Sequence, residues 1–270
     1  MLKNVLFGAI AGDIAGSTYE FTRSRAVVKS WPVASISLYP QGSTFTDDTV
    51  CTIAIADAVM HNIPYTEALQ KWCREYPGRG YGGNFSQWIN SDNPLPYNSW
   101  GNGSAMRVSP IGFLPYPDLL NDAEASAAVS HNHPEGIKGA QVIATAVHLA
   151  YYNYKENVKE QVKELLKRNY PDYADKTIAD IKPTYSFDVS CQGSVPVALM
   201  CFLESTDYEN CLQLAISLCG DSDTIAAMAG GIAYAYYKEM KEETFNNVRR
   251  ALPEDMLNII DEFDEFIGTN

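Results

Sequence analysis

Helical hydrophobic periodicity dominates this chain, and the strict polar–apolar alternation of half-buried strands is nearly absent. The best strand candidate, residues 26–31, is short and is followed by Pro32. A chain with this pattern buries its apolar faces by packing helix against helix. We therefore predict an all-α fold, in which residues 1–270 form a single compact domain of roughly ten or more helices.

Apolar spacing and start signals place the individual helices. The predicted helices span residues 1–16, 47–61, 66–76, 122–130, 134–154, 156–169, 193–203, 208–218, 224–240, 243–251 and 253–267. Residues 77–117 interrupt this pattern with a long stretch rich in Gly, Pro, Asn, Ser and aromatic residues. Such a stretch inside a compact domain is usually functional, and we predict that residues 80–83 line a cleft.

Charge and cysteine usage exclude several classes of protein. The 33 acidic and 20 basic residues give a formal net charge of −13, which argues against a nucleic-acid or membrane partner bound through Lys and Arg. Asp13 interrupts the apolar start of the chain, and no stretch reaches the ~20 apolar residues of a membrane span. The six cysteines lack CxxC spacing and mostly lie in apolar runs, which predicts buried thiols in a cytoplasmic protein.

Two similar acidic clusters stand where apolar helices begin. The first is Thr46-Asp47-Asp48-Thr49, and the second is Asp221-Ser222-Asp223-Thr224. Each could be only a helix cap, because Asp and Thr are favoured there and carboxylates offset the helix dipole. Doubled acids, however, add a repulsion that a cap does not need. A divalent cation removes this repulsion, and these hard oxygen ligands suit Mg²⁺ or Mn²⁺ rather than zinc.

A third acidic position, Glu20, lies between two aromatic residues and is predicted to point inward. It could be an ion-pair partner for Arg23 or Arg25, a metal ligand or a general base. Asp13, upstream, is expected to cap a helix or to hydrogen-bond to a loop. Two ions about 3.5–4 Å apart would balance the charge of five converging carboxylates better than one ion. The five are Glu20, Asp47, Asp48, Asp221 and Asp223.

A glycine loop and a histidine pair complete the candidate site. In residues 99–107, Gly101 and Gly103 flank Asn102, so backbone amides there could hold a diphosphate while Trp100 stacks on a base or simply packs. The loop is neither a Walker loop nor a dinucleotide-binding fingerprint. In Ser130-His131-Asn132-His133, we favour His131 as a hydrogen-bond donor to substrate and His133 as structural.

These motifs together resemble the ADP-ribosylglycohydrolases, a family that includes the dinitrogenase reductase-activating glycohydrolase and the ADP-ribosyl-acceptor hydrolases. The resemblance rests on Gly12-Asp13 with Gly16 and Glu20, the two acidic clusters, residues 101–107 and residues 131–134, in the family's order. It implies an all-α fold with a cleft that holds two Mg²⁺ or Mn²⁺ ions. It also implies hydrolysis of the α-linked N- or O-glycosidic bond between ADP-ribose and an acceptor.

Position by position, the resemblance assigns roles to residues of this chain. The implied metal ligands are Thr46, Asp47, Asp48, Asp221, Asp223 and Thr224. The implied catalytic residues are Glu20, Asp48 and Asp223. The implied substrate-binding residues are Trp100 at the adenine, His131 near the distal ribose or diphosphate, and a diphosphate-holding loop that includes Gly101, Asn102, Gly103, Ser104 and Met106.

The sequence thus predicts a metal-dependent hydrolase that reverses ADP-ribosylation. Its partner would be an ADP-ribosylated protein or a small ADP-ribose conjugate, with nucleic acid only as a modified substrate, and nothing in the sequence demands an oligomer, so a monomer is expected. One alternative is an inactive module that only binds ADP-ribose, although such a module would not need both acidic clusters. A glycosidase with two carboxylates and no metal is a further alternative.

Overall fold

Helices make up the regular structure throughout the described chain. The computed structural model describes residues 3–21, 25–115, 117–152 and 157–269, and within these ranges it contains sixteen α-helices and no strand. They are α1 (Phe7–Gly16), α2 (Arg25–Ser30), α3 (Asp47–His61), α4 (Tyr65–Glu75), α5 (Gly83–Ile89), α6 (Gly103–Met106), α7 (Ser109–Gly112), α8 (Leu119–Ala128), α9 (Pro134–Tyr152), α10 (Val158–Asn169), α11 (Ile178–Ile181), α12 (Cys191–Glu204), α13 (Tyr208–Ser217), α14 (Ser222–Tyr237), α15 (Glu242–Ala251) and α16 (Glu254–Thr269). The all-α prediction is confirmed.

Most of the predicted helices are confirmed as well. Helix α3 has the predicted bounds, and the bounds of α4, α8 and α12 to α16 differ from the prediction by one to three residues at an end. The predicted helices 134–154 and 156–169 correspond to α9 and α10. The end of the first prediction and the start of the second fall on residues 153–156, which lie outside the described residues. Helical periodicity is therefore a sufficient guide to these elements, because each buries a continuous apolar face.

The strand candidate at residues 26–31 is wrong. Residues Arg25–Ser30 form the short helix α2, in which Val28 is buried and Val27 is half exposed. A lone extended segment would leave its backbone groups unpaired. Within the described ranges the chain offers no strand to pair with, and its one β-bridge joins Gly101 to Ser190. The helix satisfies these groups locally.

The long stretch at residues 77–117 contains three short helices, α5, α6 and α7, joined by irregular segments. Its aromatic residues Phe85 and Trp88 stack on one another at 5.4 Å between ring centroids and are buried. The stretch therefore packs on the helical core and is not a simple connector.

Helices α1 and α14 form the centre of the core. Every residue of α1 is buried, as are Ser222 to Ala235 of α14. A Cβ at Gly8 would lie 2.8 Å from the Gly230 oxygen, and one at Gly16 would lie 2.4 Å from the Asp223 Cα. The helices therefore run antiparallel in close backbone contact, with the carboxyl end of α1 beside the amino end of α14.

Three further expectations concern the cysteines, membrane-spanning helices and the start of the chain. All six cysteines are buried and free, as predicted. Among the described residues, no helix has both the length and the apolar character that a membrane crossing requires. The core helix predicted over residues 1–16 is confirmed only from Phe7 to Gly16, where α1 packs against α14. Residues 3–6 precede the helix, and Asn4 there has a positive φ of 51°, which helical backbone does not allow.

We predict that Gly12→Ala destabilises the fold. The new Cβ would lie 2.1 Å from the Ala226 backbone oxygen, so two buried helices would have to separate. Overpacking of this kind typically costs about 1–3 kcal/mol of unfolding free energy, which urea denaturation followed by circular dichroism would measure. Gly83→Ala is the matched control, because a Cβ at Gly83 meets nothing within 4 Å. Equal losses in the two variants would contradict the proposed contact.

Candidate active site

Three helix ends meet at one cleft of about 630 Å³. Helix α1 ends at Gly16 and leads into Glu20, α3 begins at Asp47, and α14 begins at Ser222. From these ends, the cleft is lined by Glu20, Thr46, Asp47, Asp48, Asp221, Asp223 and Thr224. The structure therefore brings both predicted acidic clusters and Glu20 to the same place.

Asp13 joins α1 to the beginning of α3. Its fully buried side chain accepts hydrogen bonds from the backbone N–H groups of Thr46 (2.8 Å) and Thr49 (3.1 Å) and from both threonine hydroxyls. Burial raises the pKa of Asp13, although these hydrogen bonds oppose the rise. The expected hydrogen bond to a loop is confirmed. The sequence analysis misses that Asp13 belongs to the carboxylate cluster, which the interruption of an apolar helix by an acid could have signalled.

Asp48 and Asp223 complete a first carboxylate group with Asp13. One oxygen from each of the three lies within 4.8 Å of the other two. Asp48 Oδ2 accepts a hydrogen bond from the Thr224 hydroxyl (3.2 Å) and lies 3.3 Å from the Thr46 hydroxyl, which donates its proton to Asp13 at 2.6 Å. Asp48 Oδ1, in contrast, is buried and has no hydrogen-bond partner within the described ranges. A buried carboxylate oxygen without a partner is costly, so this atom points to a ligand.

A second group contains Glu20, Asp221 and Asp223, again with one oxygen from each within 4.8 Å of the others. Asn102 Nδ2 donates to Asp221 Oδ2 at 2.7 Å and so connects this group to the glycine loop. Asp47 belongs to neither group. It lines the cleft nearby, where a Cβ at Gly80 would lie 3.2 Å from Asp47 Oδ1.

Burial raises the pKa of each predicted acidic residue in the cleft. The pKa of Glu20 rises to about 7 and that of Asp47 to about 8, and those of Asp48, Asp221 and Asp223 also rise. Neighbouring carboxylates add to the effect of burial at all of these residues. In the part of the chain that the structure describes, no Lys or Arg forms an ion pair with them. The cluster therefore carries an uncompensated negative charge whenever it is ionised.

The simpler interpretations account for little of this cluster. Thr46 is the N-cap of α3 and accepts a 3.4 Å hydrogen bond from the Asp48 N–H, whereas Asp221 at the start of α14 makes no capping bond. Arg25 donates to the backbone oxygen of Glu20 at 2.8 Å, and Arg23 lies outside the described residues. Capping thus explains a threonine but leaves the carboxylates unexplained.

The glycine loop, residues 99–107, contributes Gly101, Asn102 and Gly103 to the same cleft lining. It is held in place by the Asn102 N–H, which donates to the Val189 oxygen at 2.8 Å, and by the Cys191 N–H, which donates to the Trp100 oxygen at 2.9 Å. A Cβ at Gly103 would lie 3.0 Å from His131 Nε2. A side chain at residue 103 would therefore crowd the imidazole ring, which glycine does not.

The residues predicted to bind substrate line the cleft, except for two of them. The side chain of Ser104 is buried and does not line the cleft, and its hydroxyl donates to the Gly136 oxygen at 2.8 Å. Trp100 is 52% exposed and lies edge-on to His133 at 5.6 Å, outside the cleft lining. The roles of these two side chains stay predictions. The remaining residues do line the cleft, namely Gly101, Asn102, Gly103, Met106 and His131.

The cleft also contains two cations that the sequence analysis misses. Arg79 lies over the Phe45 ring at 3.8 Å and donates to the Phe45 oxygen, while Arg107 is fully buried at the end of the glycine loop. Both arginines lie in stretches already marked as functional, which is the signal that could have found them. The predicted cleft position of residues 80–83 is borne out by the glycines at 80, 82 and 83.

Comparisons with known proteins agree with this site. The ADP-ribosylglycohydrolase family model matches residues 2–268. ADP-ribosylhydrolase ARH3 of Mus musculus is 30% identical over 87% of this chain and 83% of its own. ADP-ribosylarginine hydrolase Tri1 of Pseudomonas putida is 26% identical over 87% of this chain and 70% of its own.

A solved structure shows that the fold is shared. It is described as an ADP-ribosylglycohydrolase-related protein complex, and it matches with a TM-score of 0.67 and 21% identity over 97% of both chains. The family model covers nearly the whole sequence, and the acidic clusters and the glycine loop of that sequence meet in one cleft. The chain therefore belongs to the ADP-ribosylglycohydrolase family.

Proposed function

We propose that this protein is a metal-dependent hydrolase that cleaves the α-glycosidic bond between ADP-ribose and an acceptor. The observation that carries the proposal is the buried, unpartnered Asp48 Oδ1 within a cluster of carboxylates that no basic side chain of the described ranges neutralises. A structural cluster would have a hydrogen bond or a cation at this atom. The metal dependence of the reaction and its substrate are part of the proposal.

The residues present fit hard divalent cations. Both carboxylate groups offer only oxygen atoms, and Thr46 and Thr224 add hydroxyls beside Asp48. Such ligands suit Mg²⁺ or Mn²⁺, and two ions would offset the repulsion of the acidic residues better than one. The residues that would hold them are Thr46, Asp47, Asp48, Asp221, Asp223 and Thr224. When bound, the ions would orient and polarise a water molecule for hydrolysis.

Glu20 is the group best placed to move a proton. It is half-buried, its carboxylate lies beside those of Asp221 and Asp223, and burial together with Asp221 raises its pKa to about 7. A general base works best when its pKa lies near the working pH. Glu20 would accept a proton from the water that attacks the anomeric carbon, and it would return this proton to the acceptor, which leaves with the electron pair of the broken glycosidic bond. Asp48 and Asp223 would stabilise the oxocarbenium-like charge on the ribose.

The glycine loop suits the diphosphate. Gly101 and Gly103 let the backbone approach an anion closely, and Asn102 connects this loop to the acidic cluster through Asp221. Arg107, at the end of this loop, adds a positive charge to the cleft lining. An anionic substrate can therefore bind to a protein whose net charge is −13.

The acceptor and the cell compartment are proposed from observations outside the cleft. The printed name of the Pseudomonas putida relative gives ADP-ribosylarginine as that protein's substrate, so arginine is the first acceptor to test here. A modified protein side chain or a small ADP-ribose conjugate fits the proposal equally. The six buried free thiols support a reducing, cytoplasmic setting.

We predict that Asp48→Asn and Asp223→Asn abolish metal binding and turnover. Each change removes one ligand charge and leaves the side-chain volume unchanged, so the metal-free protein should stay folded and lose some buried repulsion. Isothermal titration with Mg²⁺ and Mn²⁺ would report binding. Release of ADP-ribose from ADP-ribosyl-arginine and ADP-ribosyl-serine peptides would report turnover, with an expected loss of at least about 100-fold in kcat/KM.

The control is Asp172→Asn, which removes an exposed carboxylate outside the cleft and should change neither readout. Full activity in Asp48→Asn or Asp223→Asn would refute the assignment. Wild-type binding of ADP-ribose without any turnover would favour a binding module. Turnover that resists a chelator would favour a two-carboxylate glycosidase.

We also predict an unusual pH dependence for the metal-free protein. In the fold, Glu20 and Asp47 hold protons up to pH values of about 7 and 8, whereas their ordinary pKa values are 4.5 and 3.8. The folded state thus binds more protons than the unfolded chain between about pH 5 and 8, and its stability falls as the pH rises through this window. Thermal unfolding at several pH values, in chelator and in saturating Mg²⁺, would measure the effect.

Saturating Mg²⁺ should remove most of this fall, because bound cations favour ionised carboxylates. Asp47→Asn in chelator is the matched variant and should show a shallower dependence than wild type, since one of the titrating groups is gone. A wild-type protein that gains stability from pH 5 to 8 in chelator would contradict the prediction.

A further inference from the structure

Arg107 is a buried cation that forms no ion pair with any acidic residue in the described ranges. Its side chain is fully buried, and its Nη2 donates to the Ser126 backbone oxygen (2.7 Å) and to Ser130 Oγ (3.0 Å). Its Nε and Nη1 have no hydrogen-bond partner among the described residues, and its guanidinium lies 5.7 Å from the centre of the Phe85 ring. Burying such a charge costs free energy, so we expect Arg107 to have a function that offsets this cost.

The hydrogen bond to Ser130 continues to His131. Ser130 Oγ lies 2.8 Å from His131 Nδ1, and both residues are buried. Arginine can only donate, so Ser130 Oγ accepts from Arg107. The single hydroxyl proton of Ser130 then needs an acceptor, and His131 Nδ1 is the acceptor within reach. With Nδ1 accepting, the ring proton of a neutral His131 lies on Nε2.

His131 Nε2 faces the glycine loop. A Cβ would lie 3.0 Å from Nε2 at Gly103 and 3.6 Å from it at Gly101, and His131 lines the cleft. The ring packs between Tyr97 and Phe85, with centroids 5.8 and 6.3 Å away. Within the described part of the chain, no protein group accepts a hydrogen bond from Nε2. The Nε2 proton is therefore available to a ligand oxygen at the loop.

The surroundings keep this ring neutral. Burial lowers the pKa of His131 well below its usual value, and the charge of Arg107 lowers it further. The other titratable group packed against the ring is Tyr97, whose own pKa burial raises to about 12, so it stays neutral at pH 7. A protonated imidazole would also reverse the hydrogen bond to Ser130, because both ring nitrogens would then be donors, and the Ser130 hydroxyl proton would lose its acceptor.

We propose that Arg107 and Ser130 are positioning residues that hold His131 as the neutral Nε2–H tautomer, so that it donates a hydrogen bond to a ligand oxygen at the glycine loop. The identity of that ligand as ADP-ribose rests on the proposed function, whereas the tautomer does not. Arg107 thus acts through Ser130 and through its field, without touching the substrate. In this arrangement the buried charge of Arg107 has a role, which is to keep His131 neutral and oriented.

The first test is the tautomer itself. In ¹⁵N-labelled, Mg²⁺-loaded wild type without substrate, two-dimensional ¹H–¹⁵N correlation spectra of the four histidines distinguish protonated from unprotonated ring nitrogens, and His131→Gln assigns the His131 signals. We expect a protonated Nε2, an unprotonated Nδ1 and no change between pH 8 and pH 5.5. An Nδ1–H tautomer or an imidazolium at pH 7 would overturn the proposal, whether or not any substrate is known.

The second test is a double-mutant cycle on ADP-ribose binding. Ser130→Ala removes the donor to Nδ1, so we expect mixed tautomers and a Kd for ADP-ribose that is about three- to tenfold weaker. His131→Gln keeps an N–H donor near the Nε2 position but cannot use the Ser130 hydroxyl in the same way. Adding Ser130→Ala to His131→Gln should therefore cost little further affinity.

The outcomes separate the possible failures. If Ser130→Ala leaves the His131 tautomer unchanged, or weakens binding equally in both backgrounds, then Ser130 is merely structural and the proposal is wrong. If the wild type shows the Nε2–H tautomer but binds no ADP-ribose, the proposed function fails and the tautomer assignment stands. If Ser130→Ala does not fold, the wild-type spectra alone decide the tautomer.

Discussion

The close antiparallel contact between α1 and α14 positions everything else in the site. Glycines at every fourth position of α1 let its backbone touch that of α14, as the 2.1 Å from a Cβ at Gly12 to the Ala226 oxygen shows. This contact places the carboxyl end of α1 at the amino end of α14, so that Asp13 and Asp223 meet. Hydrogen bonds from Thr46 and Thr49 to Asp13 then bring the start of α3 to the same point.

Packing thus assembles a group of carboxylates that repel one another. The apolar helices around it stabilise the fold, and the positive amino ends of α3 and α14 offset part of the repulsion. Burial, together with the repulsion that remains, raises the pKa values of Glu20, Asp47 and their neighbours, and divalent cations would offset this repulsion. Arg107, which forms no ion pair among the described residues, lines the same cleft and adds positive charge beside the glycine loop.

Sequence reasoning succeeds where one local pattern decides the outcome. The bounds of α3 follow from a cap signal and a continuous apolar face, and both acidic clusters are visible as doubled acids at helix starts. It fails where contacts with distant parts of the chain decide the structure. Residues 26–31 form a helix because the described chain offers no strand to pair with, and Ser104 faces the Gly136 oxygen because of how α6 packs. Asp13 is missed because its partners are 33 and 36 residues away.

The sequence by itself determined the all-α class, the family resemblance and the residue types of the site, because periodicity and short motifs are local properties of the chain. Only the tertiary structure decided which carboxylate oxygens lie within 4.8 Å of one another, that Asp48 Oδ1 has no hydrogen-bond partner among the described residues, and that Trp100 lies outside the cleft lining. It alone also showed the connection from Arg107 through Ser130 to His131. These facts depend on distances between segments far apart in the chain, which helix packing sets and no local pattern encodes.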